Sequence, residues 1–217
     1  MKIASLIVLA YERFDFLQRT MESLINTEMG YPAEIIVHND GSTDNKILEY
    51  LAYLAHERKI SILINNCGKN VGIEKSMKRG IACSSGDYIF KLDSDLEFTP
   101  NWLKRVVDVL EGDLKIGCVG CIDYRIYDPN DKRFHNVREM DGYLESDNLV
   151  SSAYGFRREV YDLHGKAMQH DGWHKYLFKQ GYKLAIKDVV ENFGFGQSIY
   201  VGADGQAVKM ENEPLTF

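Results

Sequence analysis

The sequence predicts an α/β fold, a Rossmann-like, mostly parallel central sheet with helices on both faces. Two observations carry that prediction. Through the first half of the chain, apolar runs of strand length alternate with segments whose apolar residues recur at helical spacing. The 217 residues are enough for one sizeable α/β domain and marginal for two.

The elements follow in order. Ile3 to Leu9 is an apolar strand, and Phe14, Leu17, Met21, Leu24 and Ile25 mark a helix after it. Glu34 to His38 is the second strand, closed by the polar turn Asn39-Asp40-Gly41-Ser42-Thr43-Asp44. Ile47, Leu48, Leu51, Leu54 and Ala55 form the next helical face. Ile60 to Ile64 is a third strand, Ile73 to Cys83 a helix of weak periodicity, and Tyr88 to Leu92 a fourth strand. Thr99 and Pro100 then read as cap and first-turn residue of a helix carrying Leu103, Val106, Val107 and Leu110 inward.

Such sheets bind ligands at the carboxyl ends of their strands. Tyr11, Asp40 and Asp95 all fall just beyond strand ends, on one rim. The fourth strand runs into Asp93-Ser94-Asp95, and strand alternation sends both carboxylates to the same side. Two adjacent carboxylates repel, and a divalent metal that also holds a phosphate oxygen relieves the repulsion. A capped strand end with two solvated acids is the alternative. The first strand leads into Leu9-Ala10-Tyr11-Glu12-Arg13, with neither the Gly-x-Gly-x-x-Gly of a dinucleotide site nor a P-loop. A nucleotide here lacks a glycine cradle, and a metal on the Asp pair could neutralise its phosphates instead.

Composition excludes other classes. A net charge of −6 argues against a nucleic-acid groove and against a polybasic membrane patch. No run approaches the roughly 20 apolar residues that span a bilayer. The apolar start is a buried strand rather than a signal segment, because Tyr11-Glu12-Arg13 ends it with no cleavage site. Four cysteines are no disulfide framework, and a reducing cytoplasm is expected. Cys118 and Cys121 sit inside an apolar run and read as reduced core thiols.

The later chain is less regular. Asp123 to Asn148, with Tyr124, Tyr127, Phe134 and Tyr143, reads as an excursion over a substrate or an extra hairpin. Ser151 to Tyr161 suggests a small-residue turn leading into a helix. Asp171 to Gln180 is a helix ended by Gly181, Tyr182 to Lys187 a last strand, and the tail from Gly196 a strap.

These residues resemble family 2 glycosyltransferases, enzymes of the GT-A fold that use nucleotide-diphosphate sugars. Ser5 to Arg13 is similar to their opening strand ending Pro-Thr-Tyr-Asn-Arg. Glu34 to Asp44 is similar to their Glu-Ile-Ile-Val-Val-Asp-Asp-Gly-Ser-Thr-Asp. Asn70-Val71-Gly72 fits their Asn-x-Gly, and Gly86-Asp87-Tyr88-Ile89 leads into Asp93-Ser94-Asp95 as in the family. The motifs cover residues 2 to 110, with a fainter match to about residue 190.

The resemblance implies one GT-A domain over residues 1–217, with a nucleotide-sugar half to about 112, an acceptor half to about 195, and the strap beyond. It implies that Tyr11 lies against the base, that Asp40 hydrogen-bonds its imide, and that Asn70 belongs to the nucleotide site. Asp93 would face ribose or metal, and Asp95 would bind the metal, Mn2+ or Mg2+. An Asp40 carboxylate accepting an N–H favours uracil or thymine over cytosine, while guanine also offers an N–H. Inverting members draw a base from a late helix start, here Gln169-His170-Asp171-Gly172-Trp173-His174, where Asp171 is the candidate. A helix-capping role for Asp171 stands beside it, as does His170 or His174 serving as base, metal ligand or surface histidine.

Three positions depart from the family: Leu9 for a threonine, Asn39 for the first acid of the pair, and Asn192-Phe193-Gly194 where many relatives carry a histidine. The expected protein is a cytoplasmic, metal-dependent, inverting transferase, soluble or peripherally recruited to a membrane. It would move a sugar from a UDP- or dTDP-sugar to a saccharide or other hydroxyl acceptor. A nucleotide-sugar-binding module without transfer, and a nucleotidyltransferase, are the alternatives.

Overall fold

The computed structural model describes residues 1–123, 136–169, 172–193, 199–201 and 207–209. Its centre is a nine-stranded sheet in the order β3-β2-β1-β4-β9-β6-β10-β8-β7. The strands are β1 (Ala4–Ala10), β2 (Ala33–Asn39), β3 (Ile62–Asn65), β4 (Tyr88–Leu92), β6 (Ile116–Gly120), β7 (Arg138–Glu139), β8 (Leu144–Ser146), β9 (Ala153–Arg157) and β10 (Lys183–Ile186). β3, β2, β1 and β4 are mutually parallel, as are β6 and β10. β9 runs against both β4 and β6, so those two parallel groups point the same way. β8 opposes β10, and β7 pairs with it to close a hairpin on the sheet edge.

Strand alternation sorts the core into two layers. On one face Leu6, Val8, Val37, Phe90 and Leu92 meet α1 (Phe14–Asn26), α2 (Asn45–His56) and α4 (Trp102–Gly112). On the other, Ile7, Leu9, Ile36 and Ile89 meet α3 (Ile73–Cys83), α5 (Arg158–His164) and α6 (Trp173–Lys179). Every residue of β1, β4, β6 and β9 is buried, as expected of strands covered on both faces. A small antiparallel pair, β5 (Leu96–Phe98) with β11 (Val190–Asn192), sits beside the rim, and β12 (Ile199–Val201) pairs with β13 (Ala207–Lys209).

Three expectations need correction. The strand read over residues 182–187 is not the last, since β11, β12 and β13 follow it, each too short to show a period of its own. Residues 153–157, read as a turn, form β9, which bridges the parallel groups. The small residues there serve close packing: Gly155 lies opposite Phe90, and a Cβ at Gly155 would stand 2.4 Å from the Phe90 ring. The helix after Pro100 begins at Trp102, behind a left-handed Asn101, and Thr99 does not cap it. The Thr99 hydroxyl donates instead to the carbonyl of Val189 at 2.8 Å, tying β5 to the segment ahead of β11.

Arg157 locks the end of β9. Its buried guanidinium donates to the carbonyls of Leu110, Leu114 and Ile116, satisfying oxygens that the end of α4 and the following turn leave open. Cys118 and Cys121 are free and buried, and burial pushes both thiols up. Cys67 and Cys83 are free and exposed. Among the described residues no helix is long and apolar enough to cross a membrane.

Gly155→Ala should cost about 2 kcal/mol, because the Phe90 ring is wedged against Trp102 and has little room to retreat. Urea denaturation reads this as a lower midpoint at unchanged slope.

Candidate functional site

The carboxyl ends of β1, β2, β3 and β4 bring four loops together, and polar side chains join them in series. Asp40, just past β2, is almost wholly buried. Its carboxylate accepts from Asn66 Nδ2 at 3.1 Å, Val71 N at 2.8 Å and Gly72 N at 2.9 Å, holding the loop between β3 and α3. Asn70 Oδ1 also accepts from Gly72 N, at 2.9 Å, in a local turn. Gly41 has φ +85° and lies against the Lys69 backbone, where a Cβ would clash at 2.4 Å. Asn39 Nδ2 donates to Asn65 Oδ1 at 3.0 Å while its Oδ1 accepts from Ser42 N at 3.1 Å.

The loop after β1 is tied to this turn. Glu12 N donates to Ser42 Oγ at 2.9 Å, and Glu12 Oε1 accepts from Thr43 N and Thr43 Oγ1 at 2.8 and 3.0 Å. Glu12 and Arg13 both hold positive φ, 49° and 59°, an uncommon conformation for two successive side-chain-bearing residues. Tyr11 precedes them, partly exposed at the end of β1.

The Asp93/Asp95 loop carries its own cations. Lys91 is fully buried in β4, and its ammonium donates to Asp93 Oδ1 at 2.5 Å and to the Ser151 carbonyl at 2.6 Å. Asp93 N donates to the Ser152 carbonyl at 2.9 Å, so this loop is stitched to the chain entering β9. Asp95 Oδ2 lies 3.5 Å from Arg13 Nη1, while its Oδ1 is buried and has no hydrogen-bond partner among the described residues. Burial, and next the charge of Asp93, push the Asp95 carboxyl up to about 6; Arg13 and Lys91 pull the other way.

The loops thus assemble Tyr11, Asp40, Asn70, Asp93 and Asp95 on one rim. Asp171 and His170 lie outside the described residues, as do Tyr124, Tyr127 and Phe134 of the excursion. His174 is not a surface histidine: it is buried, with Nε2 2.8 Å from Asn148 Oδ1. Glu12, Arg13, Ser42 and Lys91 are the rim residues to which the sequence reading gave no role. Lys91 had a visible signal, since a lysine inside a strand covered on both faces must meet an internal acceptor.

The donor set can be tested against a divalent cation. Asp95 presents a buried, unpartnered carboxylate oxygen, and Asp93 is the carboxylate whose charge it feels. Both are hard oxygen donors, which suit Mn2+ or Mg2+. Among the described residues no group of three or more His, Cys, Asp or Glu could hold a metal. Two carboxylates, with the remaining positions left to water and phosphate, is a common pattern for a metal that travels with a nucleotide.

Comparison with known proteins places the chain. A model of the family described as "Glycosyl transferase family 2" matches residues 5–192. An uncharacterized glycosyltransferase of Haemophilus influenzae is 34% identical over 120 residues, 54% of this chain and 36% of its own length. The undecaprenyl-phosphate 4-deoxy-4-formamido-L-arabinose transferase of Proteus mirabilis is 34% identical over 97 residues, 44% of this chain and 28% of its own. The chain therefore spans about a third of the length of these curated relatives. Among solved structures, a mannosyltransferase of Pyrobaculum calidifontis in complex with GDP-Man and Mn2+ aligns with TM-score 0.64 at 16% identity, covering 89% of this chain and 58% of that one. GalNAc-T7 with UDP, GalNAc and Mn2+ aligns with TM-score 0.66 at 19% identity, covering 86% and 42%. At these identities the likeness to the solved structures is one of fold.

Two stability measurements follow from the charges. Asp95 binds its proton more tightly in the folded chain than an ordinary aspartate near 3.9, so its contribution is greatest below about pH 4 and is lost as pH rises through about 6. Asp95→Asn should therefore stabilise the fold at pH 8, by on the order of 3 kcal/mol, and by about half as much at pH 5; thermal melts at the two pH values read the difference. Asp93→Ala should cost about 3 kcal/mol by stranding the buried Lys91 ammonium, and adding Lys91→Met should recover more than half of it in urea titrations.

Proposed function

The chain belongs to glycosyl transferase family 2, and on that premise we propose that it is a metal-dependent glycosyltransferase. It moves a sugar from a UDP- or dTDP-sugar to an acceptor hydroxyl with inversion at the anomeric carbon. One observation carries the reading: the Asp95 carboxylate is held at the strand-end rim with a buried oxygen that nothing in the described chain satisfies. Asp93 and Asp95 would hold the divalent cation, which supplies neutralisation of the charge gathering on the departing diphosphate.

The chain's own residues do the rest. Tyr11 offers its ring to the base. Asp40 Oδ1 is taken up by Asn66 and Val71, while Oδ2 accepts, among the described residues, from Gly72 alone and keeps a lone pair for an N–H. Uracil and thymine present that N–H and cytosine does not, which supports UDP or dTDP donors over CDP; guanine presents one too, so the carboxylate alone does not separate GDP from them. Asn70 shapes the same loop through Gly72. Asp171, ahead of α6, is the candidate base that takes the acceptor proton as the sugar passes through an oxocarbenium-like state. The acceptor is a saccharide or another hydroxyl compound, read by the half of the chain beyond about residue 112. A cytoplasmic setting with reduced thiols, and recruitment to a membrane surface where the acceptor is lipid-linked, complete the reading.

A second reading has an observation of its own. Lys91 and Arg13 already face Asp93 and Asp95, which suits a module that binds nucleotide sugars without transferring them.

Thermal shift against UDP, dTDP, GDP and their sugars, with and without Mn2+, tests the donor site. A ligand at a hundred times its Kd adds about 2.7 kcal/mol, a shift of several degrees. The expected result is a metal-dependent shift for UDP or dTDP compounds that is lost in Asp95→Ala, with transfer in an acceptor screen and an inverted product by NMR. Binding without transfer would support the second reading, and no nucleotide-dependent shift would end both.

A further inference from the structure

Arg13 is a charged residue at the rim that the donor reading leaves without a task. Its guanidinium reaches Asp95 through one long contact of 3.5 Å, where a charge-assisted pair closes to about 2.7–2.9 Å and an Arg fork engages a carboxylate twice. Each partner keeps an unsatisfied atom out of water: among the described residues Arg13 Nη2 and Asp95 Oδ1 are both buried and find no hydrogen-bond partner. Two facing groups of opposite charge, each short of one partner, are a costly arrangement for a chain with no further use for them.

The rest of Arg13 is held firmly. The guanidinium centre lies 3.7 Å from the Phe16 ring, and Phe16 stacks on Phe193 with centroids 5.5 Å apart. One face of the guanidinium is thereby covered, which fixes its plane and leaves the N–H edge as the working part. The backbone beneath it sits in the left-handed region, stabilised through Glu12 by Ser42 and Thr43. An uncommon backbone conformation secured from several sides marks a residue placed for use. Lys91 differs, because its buried ammonium has two close acceptors.

We propose that Arg13 is the diphosphate clamp of the donor site: it trades its loose hold on Asp95 for a phosphate oxygen of the nucleotide sugar when Asp95 takes up a divalent cation. This rests on the donor-site reading above. A cation paired with a diphosphate is one ligand that satisfies both stranded atoms, and a planar fork suits phosphate oxygens better than an ammonium does. Arg13 is then a competitor of the metal before the donor arrives and an ally of the donor afterwards.

Those two roles predict shifts of opposite sign in one variant. Free Mn2+ is counted by electron paramagnetic resonance, and uridine and UDP are titrated calorimetrically in the presence of Mn2+, for the wild type, Arg13→Met and Arg13→Lys. Methionine keeps a long stem against Phe16 and removes the charge. Arg13→Met should bind Mn2+ alone about tenfold more tightly, bind UDP about tenfold more weakly, and leave uridine unchanged. Arg13→Lys, which keeps the charge without the fork, should fall between, and it decides the matter if Arg13→Met does not fold. Parallel losses of Mn2+, UDP and uridine affinity would make Arg13 a structural residue and overturn the clamp, as would unchanged UDP affinity. A wild type that binds neither uridine nor UDP would overturn the donor site itself, a result distinct from either.

Discussion

A charge taken out of water has to be answered inside the chain, and Lys91 imposes that requirement at the middle of the sheet. Its ammonium lies in β4, covered on both faces, where desolvation would be prohibitive without close acceptors. The two it finds belong to different parts of the molecule: Asp93 closes the strand, and Ser151 begins the approach to β9. One buried cation thus sets both the carboxylate loop and the start of the strand joining the two parallel groups. β9 then carries the constraint onward through Arg157 to the end of α4.

The rim extends the same logic sideways. Asn66, Asp40, Ser42, Glu12, Arg13 and Asp95 meet or adjoin one another in turn, so each loop is positioned by the next. Asn39, a departure from the family pattern, fits this scheme. Its amide donates to Asn65 and accepts from Ser42 N, a division of labour that an ionised carboxylate, which only accepts, cannot perform. Loops held in series arrive at a ligand already ordered, and less binding energy goes into arranging them.

How much of this was legible depended on the range of the interactions. The strands from β1 to β4 and their helices were readable because both hydrophobic periods are local; Ile73–Cys83 and Tyr88–Leu92 agree to the residue. β9 was not, because Ser151-Ser152-Ala153-Tyr154-Gly155 carries turn-forming residues whose smallness is explained only by the Phe90 ring across the strand pair. β5 and β11 escaped for a related reason: they are three-residue strands whose pairing joins positions far apart in the chain. The placement of Tyr11, Asp40, Asp93 and Asp95 on one rim could be read from position and residue type. The uses of Arg13 and Lys91 could not, since a cation's partner is a fact of three-dimensional proximity. Lys91 still left a trace as a lone charge in an apolar strand.

The cysteines give the molecule a built-in chemistry of observation. Cys67 is exposed on the loop that Asp40 clamps, and Cys83 is exposed at the far end of α3. Cys118 and Cys121 are buried, and their raised thiols are poor nucleophiles at neutral pH. A thiol reagent therefore meets two accessible positions, one on the rim loop ahead of α3 and one at the far end of that helix. The labelling of Cys67 relative to that of Cys83 then reports how closed the rim loop is.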